Sequence, residues 1–99
     1  MKKLIGYTEK FSGVISRRAT KKHTNELMLC LVAIKYKNVI IAHHSWVECD
    51  DNFKGMKEGD TIEFQATVKV YNKHSKDKKY GFTKPFNVRR TYTKEAINV

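Results

Sequence analysis

The stretch T61-I-E-F-Q-A-T-V-K-V-Y71 decides the fold class. Ile62, Phe64, Ala66, Val68 and Val70 fall on one parity, and Thr61, Glu63, Gln65, Thr67 and Lys69 on the other. Strict period-two alternation over this length gives a β-strand with one dry and one wet face. Its neighbours extend the pattern. EKFSGVISRRA (9–19) is a strand with Phe11, Gly13 and Ile15 on one parity, and Gly13 marks a bulge or bend. ELMLCLVAI (26–34) is apolar on both parities, so periodicity alone leaves strand or helix open. The polar KYKN and the β-branched NVIIAHHSWV that follow it favour a hairpin. ECDDNFKGMKEGD is a connection with room for one short helical turn around residues 52–56, and YGFTKPFNVRRTY (80–92) is a fifth strand in which Pro85 imposes an edge or a bulge. The C-terminal TKEAINV is a tail, helical or frayed.

Ninety-nine residues make one domain, with a core over about residues 7–92 and a tail at 93–99. Five short strands with an insertion after the third predict an all-β, five-stranded Greek-key barrel, with a short helix or loop between strands 3 and 4. Closure removes the exposed edges that an open sheet would present.

Twenty basic residues against ten acidic give a net charge of +10, which favours a polyanionic partner. The distribution matters more than the sum. RRATKKHTN (17–25) carries Arg17, Arg18, Lys21, Lys22 and His23 with no acid; NKHSKDKK (72–79) carries Lys73, Lys76, Lys78 and Lys79 against Asp77. Residues 46–63 hold six acids and two bases, a net −4, which leaves +14 on the remainder.

With the strand order in place, MKEGDTIEFQATVKVY (56–71) resembles the passage into the fourth strand of oligonucleotide/oligosaccharide-binding (OB) folds. The longer GDTIEFQATVKVYNK…YGFTKPFNV is similar to small proteins of phages and mobile elements. The likeness covers roughly residues 55–90. It implies a ligand face on strands 2 and 3, flanked by the loops between strands 1 and 2 and between strands 4 and 5, which are the two basic segments.

These readings predict binding of single-stranded nucleic acid, DNA first and RNA as a variant, with little sequence preference; the resemblance implies a part in replication, recombination or transfer of a mobile element. Phosphate contacts are expected from Arg17, Arg18, Lys21, Lys22, Lys35, Lys37, Lys73, Lys76, Lys78, Lys79, Arg89 and Arg90. His44 contacts phosphate or base. Tyr36, Trp46, Tyr71, Tyr80 and Phe82 are the stacking candidates. Tyr71 lies on the wet parity of its strand, whereas Trp46 suits core and groove equally.

His43-His44 near Cys49 lacks the spacing of a zinc site, so no metal or cofactor is expected. No nucleophile motif or phosphate-cradling glycine loop points to an enzyme. Cys30 and Cys49 are read as free thiols of a cytoplasmic protein; no signal peptide, spanning segment or membrane partner is expected. A replication or recombination protein is a further expected partner, and self-association is open. The alternative is a basic phage-type module that docks on an acidic host protein through its aromatics.

Overall fold

In the computed structural model, which describes residues 2–71 and 79–92, the chain is all β. After a 3₁₀ turn at Lys2–Leu4 come β1 (Thr8–Thr20), β2 (Leu27–Tyr36), β3 (Val39–Glu48), β4 (Thr61–Tyr71), β5 (Lys79–Phe82) and β6 (Phe86–Tyr92). The sheet order is β3-β2-β1-β4-β5, every ladder is antiparallel, and β6 also pairs with β4. β3 then comes alongside β5 without a hydrogen-bonded ladder, so the sheet curls into a nearly closed barrel. Among the described residues no helix is long and apolar enough to cross a membrane.

The predicted fifth strand is two segments on one edge of β4. Residues 79–82 pair with 71–68, and residues 86–92 pair with 65–61. Thr83–Pro85 separates them, because Pro85 has no N–H for the ladder. The break is tied down by the Thr83 N–H on the Thr67 carbonyl at 2.9 Å and the Thr67 N–H on the Thr83 hydroxyl at 3.0 Å.

β1 is the element that lets a short sheet curl. It runs further than its apolar pattern, to Thr20, and serves two ladders: residues 8–14 pair with β4 and residues 12–20 with β2. Two register shifts interrupt the β2 ladder, one beside Gly13 and one between Ile15 and Arg17. The first places an extra residue on β2, where Ala33 takes a φ of +50°. Bulges of this kind increase local twist and bend a sheet toward closure. The β2–β3 turn has two residues, Lys37 at φ +50° and Asn38 at φ +66°. Positive φ at both positions is the type I′ signature, whose twist suits a tight hairpin.

The core is the inward parity of these strands: Phe11 and Ile15, Leu29, Leu31 and Ile34, Val47, then Ile62, Phe64, Ala66 and Val68, and Phe82. Phe11, Phe64 and Phe82 form a three-ring cluster with centroids 4.9–5.8 Å apart. The β3–β4 connection contains one 3₁₀ turn, Asp51–Phe53, which drops Phe53 into this core. Asp50 caps it by accepting the Asn52 N–H at 2.9 Å. Gly59, at φ +92°, then donates its N–H to the Ile15 carbonyl at 2.8 Å, and the left-handed backbone there favours glycine.

Candidate nucleic-acid interface

Cross-strand partners in a sheet share a face, so the ladders list the outer surface row by row. Ile15, Leu31 and Ser45 are aligned and all buried, which makes theirs an inner row. The next row toward the end of β1 is Arg17–Cys30–Trp46, and on the other side of the inner row lies Val14–Val32–His44. Beyond that comes Ser12–Lys35–Ile40. Across β1–β3 these three outer rows contain no carboxylate; the last continues from Ser12 to Glu63 of β4, and the next outer row toward the end of β1 is Ala19–Met28–Glu48.

Trp46 is thereby placed outside the barrel. Its neighbours Ser45 and Val47 are both buried, and pleating turns the indole the other way. The Arg17 guanidinium carbon lies 5.1 Å from the centre of the Trp46 ring. At an exposed site such a cation–π contact contributes about 0.5–1 kcal/mol. Cys30, between them in the row, is only 6% exposed although it faces outward, consistent with a lid made by the stacked pair.

At the far end of β2 a second aromatic turns the other way: Lys35 beside it lies in the outer row, and the half-buried Tyr36 ring packs 5.7 Å from that of the core residue Phe11, with the Lys37 ammonium 5.3 Å from its centre. An open groove of about 510 Å³ adjoins it, lined by Lys10, Ser12, Lys35, Tyr36, Lys37 and Glu63 among others.

The other candidate residues divide by where the pleat and ladders send them. Arg17 and Arg18 lie in β1, not in the loop, and face opposite ways. Arg18 donates to the Met56 carbonyl of the β3–β4 connection. Lys21 pairs with Glu26 at 3.9 Å, while Lys22 is exposed in the turn of the β1–β2 loop. Lys35 and His44 are exposed on the face just described. Tyr80 is half-buried opposite Val70. Phe82 is 3% exposed at the centre of the ring cluster, so the stacking role expected for it is corrected to a packing role. Arg89 holds Glu63, and Arg90 reaches the Gly55 carbonyl at 3.2 Å and Asp60 at 3.6 Å. Lys73, Lys76 and Lys78 lie outside the described residues; of Tyr71 and Lys79 only the backbone is described.

The ladders also fix where the two basic hairpins leave the sheet. Thr8 pairs with Thr67 and Val14 with Thr61, so β4 exits at Tyr71 past the start of β1. The β1–β2 loop leaves past the end of β1. The β2–β3 turn lies toward the start, because Ser12 pairs with Lys35. The β1–β2 loop with Lys22 and the β2–β3 turn with Lys35 and Lys37 therefore stand at opposite ends of the β1–β3 face.

Of the six acids of residues 46–63, Asp50, Asp60 and Glu63 are held by cations, while Glu48, Asp51 and Glu58 are exposed. Lys84 pairs with Asp50 at 2.8 Å and its hydrogen bond is the main reason that carboxyl sits below its usual range; the Asn52 N–H adds to it. The same bond raises the Lys84 ammonium. Arg89, helped by Lys10 at 3.7 Å, lowers Glu63. Glu63 is no distant pole: it lines the groove beside Lys10 and Lys35. Burial raises the Cys49 thiol, against the pull of Arg18. Among the described residues no three His, Cys, Asp or Glu side chains gather as a metal-binding group.

No family model, curated protein or solved structure matches the chain. Val14 and Val32 on the outer face are not distinguished by the sequence alone; only the register, with its bulges, turns them outward beside His44.

Proposed function

We propose that the chain binds single-stranded nucleic acid, DNA in the first instance, lengthwise across the outer face of β1, β2 and β3, and that the barrel is an OB fold with Greek-key connections. The observation that carries this is the Arg17–Trp46 stack on the outer face of β1–β3, where the stack's own row and the adjoining Val14–Val32–His44 row hold no carboxylate. An indole outside the core costs solvation of a large apolar ring. A base laid on it recovers that area and adds about 1–3 kcal/mol of stacking, whatever its identity. Arg17, displaced from the ring, remains within reach of the adjoining phosphate. Val14 and Val32 give the strand a dry floor, and Lys22, Lys35 and Lys37 flank it with positive charge. Only an unstacked strand offers its base faces to such a platform, so duplex binds less well.

Trp46 is the sole tryptophan, so its fluorescence reports on the site directly. Titration with oligo-dT is expected to quench it saturably, with micromolar or tighter affinity at low salt. If Arg17, Lys22, Lys35 and Lys37 each meet a phosphate, the logarithm of affinity falls with the logarithm of salt at a slope of about −3. Absence of any quenching or mobility shift at about 50 mM salt, where such contacts are strongest, overturns the reading.

A further inference from the structure

We infer that the free edge of β3 pairs with the same edge of a second copy of this chain. β3 ends the sheet order, and among the described residues its ladder is made on one side only, to β2. A strand edge with unpaired N–H and C=O groups is a template for another strand unless lysine, proline or a bulge blocks it. Here Val39–Val47 contains no charged residue and no proline. One bulge interrupts it, at Ile41, where two residues of β3 advance against one of β2. Two exposed apolar side chains lie at the same place, Val39 at 64% and Ile40 at 53%.

Charge selects the occupant. β3 is the one strand of this +10 chain without lysine or arginine. Along β3 itself an acidic peptide would find no lysine or arginine to pair with. Two copies, which repel one another over most of their surfaces, can meet along β3 without opposing any cations. Antiparallel pairing about a two-fold axis makes the contact self-complementary. It also carries the Glu48 end of each β3 toward the Lys35–Lys37 end of its partner, where opposite charges meet. The half of β3 nearest the turn, Val39–His44, is the segment that pairs, since Lys84, two residues past β5, holds Asp50, two residues past β3, which puts β5 beside the far half.

Sedimentation equilibrium of the nuclease-treated full chain, from micromolar to millimolar concentration and without nucleic acid, tests this. The expected result is reversible association to twice the 11.6 kDa chain mass. Ile40→Lys enters the contact twice in a symmetric dimer and raises its dissociation constant at least about tenfold. Val39→Lys, at a yet more exposed position, does the same. Hydrogen exchange should show amides within Val39–His44 slowing as wild-type concentration rises, and not in either variant. A monomer at millimolar concentration, a dimer indifferent to both lysines, or protection confined to other strands each overturns the inference. Because no oligonucleotide is present, that failure would leave the nucleic-acid reading standing.

Discussion

Replacing Trp46 by alanine separates a stacking platform from a surface aromatic with no ligand. Stacking is worth about 1–3 kcal/mol per base, but the ring is not bare. Arg17 sits over it at 5.1 Å, and a base that takes its place forfeits about 0.5–1 kcal/mol of cation–π attraction. The net loss for Trp46→Ala is thus about 0.5–2 kcal/mol, or roughly two- to thirtyfold in affinity. The salt slope should not change, since no phosphate contact is removed. Arg17→Gln behaves in the opposite sense. It flattens the slope by about 0.7, so binding weakens at low salt, yet it leaves the indole open and the deficit shrinks as salt rises. In the Arg17→Gln background Trp46→Ala should cost the whole stacking term, about 0.5–1 kcal/mol more than in wild type. Fluorescence anisotropy of a labelled oligo-dT across a salt series measures all four corners of this cycle. Unchanged affinity in Trp46→Ala refutes stacking at this ring. A smaller tryptophan effect in the absence of Arg17 refutes the competition between guanidinium and base.

Phe82→Ala is expected to act on stability rather than on binding alone: opening the three-ring cluster costs about 3–5 kcal/mol, read as a lowered denaturation midpoint, whereas Trp46→Ala, outside that core, leaves the midpoint nearly in place. Glu63 and Asp50 have folded-state pKa values below their unfolded ones, through Arg89 and Lys84. Their contribution is complete above the ordinary carboxylate range near pH 4 and disappears as pH falls through the lowered folded values, so acid titration of the double variant Glu63→Gln/Asp50→Asn should show a shallower loss of stability there than wild type. Replacing Lys37-Asn38 by Asn-Gly keeps the positive φ angles that the turn demands with residues that adopt them readily. It should raise stability by about 0.5–1 kcal/mol in urea unfolding.

What the sequence by itself determined was local. The alternation of 61–71 needed only pleat geometry, and the structure has that strand with the same limits. The break at Pro85 follows from a missing N–H, and the hairpin at Lys37-Asn38 from two turn residues between apolar runs. The excess of lysine and arginine likewise raised the expectation of a polyanionic partner, which the binding experiments above address. Other properties depended on residues far apart in the chain. Whether Trp46 faced inward or outward could not be decided from VIIAHHSWV, because the bulge at Ile41 breaks the count of alternate positions along β3. Phe82 looked like a groove aromatic beside a basic loop until Phe11 and Phe64, 71 and 18 residues away, closed around it. Arg17 and Arg18 were one basic cluster on paper; pleating sends one to Trp46 and the other to Met56. Periodicity is a property of a single strand, but which strands lie side by side, and in what register, is a property of the barrel. Only that register could bring a guanidinium from β1 over an indole from β3.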